Sequence, residues 1–406
     1  MSDKATLFGW IGAILWLGCA SWQSFNETVN KRKYMKIISL FNNKGGVGKS
    51  TLGYHLGFAL SELGKKTLMI DLDPQCNLTI CGIETEYLHN IWQEEDPFID
   101  DFEKAFKENQ SILETPRSIH FLLKPTEDGL SDFDILPPTV KLNANLDLIP
   151  GRLSIHKYEN KLAERWNGAY QGDNLAIRTI TKIRELCNLY AAKNNYDFII
   201  IDTSPSLGIL NKTIISTVDG FFIPAQPDMF SLYGIRNIGN SLELWKKEFD
   251  TIYNLISSDK RSKFPQNFVQ FLGFTIYKAA KYSGGNNEYD LAQAHYSYVE
   301  KIPKIIEQFI KESNRLHLTP EQLNAPIGGS SVIHSHNTFP SVAQSLNCPI
   351  WQVPEVYTKL RREHPEVLIE KEIEPINQGS YGKFRETLDK YISFTESLLE
   401  RVERLN

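Results

Sequence analysis

The sequence has 406 residues, with 44 Lys and Arg against 49 Asp and Glu, a formal net charge of −5, and 41 % hydrophobic residues. These proportions are typical of a globular chain and exclude collagenous, fully disordered and coiled-coil proteins. The mildly acidic net charge excludes a chain that is basic overall, as a dedicated nucleic-acid-binding protein would be. The five cysteines are scattered, which excludes the paired spacing of a disulfide framework or of a C-x-x-C zinc site.

The first predicted element is an uncharged apolar segment at residues 5–22. Its length of about 18 residues is the short end of what a membrane-spanning helix needs. Lys31, Arg32 and Lys33 follow it, so the positive-inside rule predicts an N-out, C-in anchor in the inner membrane with a cytoplasmic body. Residues 1–34 are therefore interpreted as a membrane anchor and basic linker. Two alternatives are a cleaved signal peptide, and an extension upstream of a true start at Met35, which would leave the protein soluble in the cytoplasm.

A strand, a glycine-rich loop and a helix are predicted next. An apolar run, residues 36–41, leads into NNKGGVGKST at 42–51, and leucines recur at helical spacing after it. Glycines in such a loop let backbone N–H groups turn inward around phosphate oxygens, and the helix adds the positive end of its dipole. Lys49 would neutralise the phosphates, and Ser50 would offer its hydroxyl to Mg²⁺. The predicted phosphate-binding residues are Gly45, Gly46, Val47, Gly48, Lys49, Ser50 and Thr51.

Three carboxylates follow two further predicted strands. TLMIDLDPQ, residues 67–75, places Asp71 and Asp73 on alternate positions, so both face the same side of the strand end. YDFIIIDTSPSLG, residues 196–208, is a continuous apolar strand, typical of a parallel sheet covered on both faces, and it ends at Asp202. The predicted magnesium ligands are Ser50, Asp71 and Asp202. The alternative for Asp71 and Asp73 is an ordinary strand-end turn.

The string KGGVGKS at 44–50 resembles the deviant Walker A motif of the ParA/MinD family. DLDPQ, LDLIPG at 146–151 and FFIPAQPDMFSLYGI at 221–235 are similar to other segments of that family. The resemblance implies a three-layer α/β P-loop NTPase over residues 35–406, with a twisted, mostly parallel sheet, that binds ATP and Mg²⁺. It also implies that Lys44 reaches the phosphates of the partner subunit in an ATP-sandwich homodimer, and that Asp73 polarises the attacking water. Lys44, Lys49 and Asp73 are the implied catalytic residues.

The same resemblance implies a switch ATPase that partitions or positions DNA, such as a chromosome or plasmid, or another cargo. A ParB-like or other activating partner and non-specific DNA are the implied partners. One alternative is a membrane-tethered kinase resembling bacterial tyrosine kinases, which the scarcity of tyrosines in the tail disfavours. Another is a nucleotide-dependent adaptor in a defence or secretion system.

Outside these motifs the sequence predicts less. Residues 85–140 are interpreted as an insertion at the carboxyl edge of the sheet, helical over residues 100–108. Its acidic stretch at 93–109 is expected to be a solvated face, or alternatively a docking site for a basic partner. NCPIWQVPEV, residues 347–356, is predicted to form the last short strand. The resemblance places Tyr277 or Lys278 near the nucleotide base.

Overall fold

Seven strands form one sheet in the computed structural model, which describes residues 35–265, 267–284, 286–334 and 338–405. In chain order they are β1 (Lys36–Leu40), β2 (Thr67–Asp71), β3 (Val140–Lys141), β4 (Leu146–Ile149), β5 (Phe198–Asp202), β6 (Gly220–Ala225) and β7 (Gln270–Ile276). The sheet order is β3-β4-β2-β5-β1-β6-β7, and every neighbouring pair is parallel except β3 with β4. The predicted α/β architecture is confirmed.

Helices connect the strands and continue beyond the last one. They are α1 (Lys49–Glu62), α2 (Asn77–Gly82), α3 (Thr85–Asp100), α4 (Phe102–Glu108), α5 (Ile119–Asp128), α6 (His156–Ala169), α7 (Asn174–Asn194), α8 (Ile209–Thr217), α9 (Met229–Leu255), α10 (Ser258–Arg261), α11 (Gln293–Val299), α12 (Ile302–Phe309), α13 (Pro320–Asn324), α14 (Phe339–Ser345), α15 (Val353–Glu363), α16 (Pro365–Glu370) and α17 (Tyr381–Val402). The unit that begins at Lys36 contains all of these elements.

The central strands explain where the site lies. β2 and β5 are buried along their whole length, as expected for parallel strands covered on both faces. The chain passes from β1 to β2 across β5, so the loops after these three strands open at one edge of the sheet. Asp71 and Asp202 are paired in register at that edge. The sheet topology thus brings together groups that are about 130 positions apart in the sequence.

Residues 85–140 are largely helical, and the acidic residues of the stretch at 93–109 are exposed, as expected, except for Glu95. Helices α3, α4 and α5 fill much of this range, and the helix expected at 100–108 is present as α4. Phe98, Phe102 and Phe121 pack together with ring centroids 5.4–6.0 Å apart. The prediction of a solvated acidic face is wrong at Glu95, which is fully buried and forms an ion pair with Arg152. The sequence pattern could not reveal this pairing, because Arg152 lies beyond the insertion.

The strand expected at 347–356 is also wrong. Residues Ile350–Gln352 form a 3-10 turn and α15 begins at Val353. Pro354 lies in the first turn of that helix, where its fixed φ is compatible with helical geometry and its missing N–H is not needed. The terminal helix α17 packs on the sheet, where the Phe394 and Phe222 ring centroids lie 5.9 Å apart.

Within the described residues, no helix combines the length and the apolar character that crossing a membrane requires. The segment at residues 5–22, for which the anchor is expected, lies outside the described residues.

Candidate active site

The loop after β1 turns through two left-handed glycines. Gly46 has φ 76° and Gly48 has φ 84°. A Cβ on Gly48 would lie 2.6 Å from Cε1 of Tyr277, so the loop packs too closely for any other residue there. No side chain caps the N-terminus of α1, which starts at Lys49. The N–H groups of its first turn are therefore available to an anion.

Asn42 holds the base of this loop. Its Nδ2 donates to the carbonyl oxygen of Pro224 at 2.7 Å, and its Oδ1 accepts from the backbone N–H of Lys44 at 2.9 Å. The ammonium of Lys49 donates to the backbone oxygen of Asn42 at 3.0 Å. Burial lowers the pKa of Lys49, while Asp202 and Asp73 act in the opposite direction. The structure therefore brings the predicted phosphate lysine together with two of the predicted carboxylates.

Asp202 is a fully buried carboxylate, and within the described chain neither of its oxygens has a hydrogen-bond partner. Burial, followed by the charge of Asp71, raises the pKa of Asp202 to about 8, and Ser50 and Lys49 partly oppose the rise. The Ser50 hydroxyl therefore lies on the same side of the site as this carboxylate. A buried carboxylate without a partner is costly, and a cation beside Ser50 would remove that cost.

Asp71 and Asp73 have different surroundings although they are two residues apart. Oδ1 of Asp71 accepts from the N–H of Asp73 at 3.1 Å, and Oδ2 accepts from the N–H and hydroxyl of Thr79 at 2.8 and 2.7 Å. Burial raises the pKa of Asp71 to about 6 despite these bonds. Asp73 is buried, and its Oδ1 accepts from the N–H of Gln75 at 2.9 Å. Both oxygens of Asp71 are thus used within its own loop, and direct metal ligation by Asp71 stays a prediction.

Lys44 lies at the rim of the loop and is paired within its own chain. Its Nζ donates to Oε1 of Gln226 at 2.6 Å and forms an ion pair with Asp228. Both partners follow β6, more than 180 residues away in sequence. Gly45 and Gly46 beside it are exposed, whereas Val47 is buried.

Thr51 and Tyr277 lie on the inner side of the loop. The backbone oxygen of Thr51 is 2.7 Å from Nδ1 of His55, and Thr51 lines a cavity of about 150 Å³ together with Lys278. The hydroxyl of Tyr277 is 2.9 Å from that of Tyr391, so this side chain points into the core. Its ring packs under Gly48, and contact of Tyr277 or Lys278 with a base stays a prediction.

The sequence analysis assigned no role to several residues that shape the site. A Cβ on Gly234, in α9, would lie 2.9 Å from Oδ1 of Asn43, so this glycine lets the helix approach the loop. A glycine inside a regular helical pattern was the available signal. The hydroxyl of Thr79 donates to Asp71 and accepts from the N–H of Gly151, and no spacing rule predicts such contacts.

Comparison with known proteins places this site in a family. Residues 35–255, more than half of the chain, match the AAA domain family model (AAA_31). The chain is 33 % identical over 248 residues to an uncharacterised protein of Methanocaldococcus jannaschii, covering 59 % of this chain and 79 % of that protein. It is 31 % identical over 219 residues to the sporulation initiation inhibitor protein Soj of Bacillus subtilis, covering 53 % of this chain and 68 % of Soj.

The solved structure of pNOB8 ParA has the same fold. It aligns with a TM-score of 0.52 at 18 % identity, over 91 % of this chain and 99 % of that chain. The glycine loop, the buried lysine and the strand-end carboxylates thus lie in a fold of that type. The chain belongs to the AAA domain family and is a ParA-like P-loop ATPase.

Proposed function

We propose that this protein binds ATP with Mg²⁺, joins a second copy around the bound nucleotides, and hydrolyses ATP to separate again. The observation that supports this most directly is the buried carboxylate of Asp202, which lies beside Lys49 and Ser50 and whose oxygens have no hydrogen-bond partner among the described residues. Carboxylate and hydroxyl oxygens are ligands that Mg²⁺ prefers, and the residues present fit that ion.

Each residue of the loop has a role in this proposal. The backbone N–H groups of residues 45–51 and the ammonium of Lys49 bind the phosphates, while Ser50 and Asp202 hold the magnesium. Bound Mg²⁺ supplies positive charge that stabilises the phosphate oxygens during transfer. Asp73 orients the attacking water. Phosphoryl transfer needs mainly positioning and charge neutralisation, and these groups provide both.

The surface around Lys44 supports a second copy as the partner. Three large side chains at the start of α9 are 46 %, 65 % and 55 % exposed, namely Met229, Phe230 and Tyr233. Nζ of Lys44 lies 5.9 Å from the centroid of the Phe230 ring. Apolar side chains exposed beside a cation are typical of a surface that a protein partner covers. In the proposed dimer, Lys44 leaves Asp228 and reaches the phosphates of the partner's ATP.

We propose a cargo-positioning role for this switch, with DNA or another cargo and a ParB-like or other activating protein as partners. The ParA-like family supports this role. A surface groove of about 290 Å³ between α15 and α17 supports a polyanion such as non-specific DNA, because its lining has three basic side chains, Lys359, Arg362 and Arg385, against one acidic side chain, Glu355. Retention of DNA, measured with and without ATP at two salt concentrations, tests this proposal. DNA binding that is equally strong at both salt concentrations would contradict it.

The central experiment measures ATP turnover and oligomeric state on the same purified protein. We expect Mg²⁺-dependent turnover that EDTA abolishes, and an ATP-dependent dimer by light scattering. Lys44→Ala should remove the dimer while leaving the folded monomer intact. No affinity for ATP, or equal turnover by protein kept strictly monomeric, contradicts the proposal. Transfer of label from γ-labelled ATP to the chain would instead favour the kinase alternative.

We propose that residues 5–22 tether the ATPase to the inner membrane. The support is their uncharged composition and the basic residues that follow them. Full-length protein should sediment with membranes and resist alkaline carbonate, whereas a chain that starts at Met35 should stay in the supernatant. Full-length protein in the supernatant contradicts the tether.

A further inference from the structure

A continuous series of hydrogen bonds connects the loop of Asp73 to helix α3. The N–H of Asp73 donates to Oδ1 of Asp71 at 3.1 Å. The hydroxyl of Thr79 donates to Oδ2 of Asp71 at 2.7 Å and accepts from the N–H of Gly151 at 2.8 Å. The indole N–H of Trp92, on α3, donates to the backbone oxygen of Gly151 at 3.1 Å. We call the series Asp73, Asp71, Thr79, Gly151 and Trp92 the relay.

The far end of the relay is anchored by charge. Arg152, next to Gly151, donates to the backbone oxygen of Trp92 at 2.9 Å. It also contacts Glu95 at 3.1 Å and forms an ion pair with Asp96, both on α3. Glu95 is fully buried and accepts from the N–H and hydroxyl of Ser118, each at 2.6 Å. The loop after β4 therefore cannot shift without breaking buried charged contacts.

The middle of the relay has no free space. A Cβ on Gly151 would lie 3.0 Å from Sγ of Cys76 and 3.1 Å from Cγ of Asp71. Thr79 is fully buried, and its single hydroxyl acts as donor to one loop and acceptor from the other. Because these groups are closely packed and hydrogen-bonded to one another, their relative positions are fixed.

We propose that Thr79, Gly151 and Trp92 are positioning residues for ATP hydrolysis: through Asp71 they hold the loop that carries Asp73, so that α3 sets the orientation of the water-activating carboxylate. This inference rests on the proposed function. The relay acts on the hydrolytic step, because its contacts reach Asp73. The phosphate-binding loop of residues 45–51 is held separately, by contacts to Asn42 and Tyr277. A small displacement of a catalytic group lowers the rate of catalysis strongly but leaves the binding of the substrate in its ground state unchanged.

The decisive variant is Thr79→Val, which keeps the side-chain shape and removes both hydrogen bonds of the hydroxyl. We expect kcat to fall by about tenfold or more, with ATP affinity unchanged within about twofold. Thr79→Ser keeps the hydroxyl and should restore most of the rate. Trp92→Phe removes only the indole N–H and should lower kcat by a smaller factor, about threefold.

Thr126→Val is a matched control within the same stretch of chain. Thr126 is fully buried on α5, and in the described residues its hydroxyl has no hydrogen-bond partner. It should therefore keep the kcat of the wild-type protein. Circular dichroism and binding of a fluorescent ATP analogue identify a variant that has not folded, and in that case Trp92→Phe decides the question.

The outcomes separate the two proposals. Wild-type protein without ATP turnover overturns the proposed function, and the relay with it. An active wild type with an unchanged kcat in Thr79→Val, or in Trp92→Phe if Thr79→Val does not fold, overturns the relay alone. A loss of kcat that Thr79→Ser does not restore also overturns the relay. An equal loss of kcat and of ATP affinity overturns it as well.

Discussion

The ammonium of Lys44 is paired with the carboxylate of Asp228 in its own chain. Although partial burial raises the pKa of Asp228, hydrogen bonds from Lys44 and from the N–H of Ser231 lower it below the usual range. The lysine that we propose to act in a partner subunit is therefore held on its own subunit first. Both side chains are partly exposed, at 21 % and 34 %, so the pair contributes about 1 kcal/mol or less.

Asp228→Asn should make dimerisation easier. Asparagine still accepts from the N–H of Ser231 and so keeps the N-cap of α9, but it no longer holds Lys44 by charge. We expect the ATP concentration for half-maximal dimer formation to fall about threefold, measured by light scattering during an ATP titration. An unchanged or higher midpoint would contradict the idea. The double variant that adds Lys44→Ala is the control and should not dimerise.

Gly48→Ala and Gly46→Ala should differ in their cost to folding. Both residues have positive φ, which costs an alanine about 1–2 kcal/mol. Only Gly48 faces a neighbour, the ring of Tyr277, which the hydrogen bond to Tyr391 and burial hold in place. The clash should add about 1–3 kcal/mol to the loss at Gly48. Urea unfolding measures both free energies, and equal losses would show that the ring moves aside.

Lowering the pH should destabilise the protein through His55. The backbone N–H of Ile350 donates to its Nε2 at 3.2 Å, so the proton is on Nδ1, facing the oxygen of Thr51. Burial lowers the pKa of His55 from 6.5 to about 4. Between these two pH values the imidazole is protonated in the unfolded chain and neutral in the folded chain. This stability is complete above pH 6.5 and is lost as the pH falls toward 4.

The expected loss from His55 between pH 7 and pH 5 is about 2 kcal/mol of unfolding free energy. His55→Gln should be less stable at pH 7 and should lack this part of the pH dependence. Urea unfolding of both proteins at the two pH values isolates the effect, since other groups contribute equally to both. Parallel pH profiles would show that His55 does not titrate differently on folding.

Arg152→Met should destabilise the fold strongly. It leaves Glu95 buried without its charged partner, which typically costs about 3–5 kcal/mol. Lys107→Met is the matched control, because Lys107 pairs with Glu103 on the surface, where both side chains are more than half exposed. We expect no measurable change there by urea unfolding. If Arg152→Met lowers the unfolding free energy by less than about 1 kcal/mol, the buried Glu95 takes up a proton in the variant at little cost in free energy.

The features that the sequence predicted correctly are those whose signal is local. The strand at 36–41, the glycine loop and the following helix are contiguous, and the apolar strand that ends at Asp202 indicates a parallel sheet by itself. Predictions failed where the deciding contact is distant. Glu95 is buried because Arg152, more than 50 positions further along the chain, pairs with it.

The sequence by itself determined the fold class, the phosphate loop and the identity of the carboxylates, because short-range periodicity and the special backbone freedom of glycine are written in consecutive residues. Only the tertiary structure decided how those groups are used. Among the described residues it left the Asp202 oxygens without a hydrogen-bond partner, engaged Asp71 with Asp73 and Thr79, paired Lys44 with Asp228 and joined Asp73 to α3. The physical reason is that hydrogen bonds and charge pairs depend on distances across the sheet edge, which only the packed chain defines.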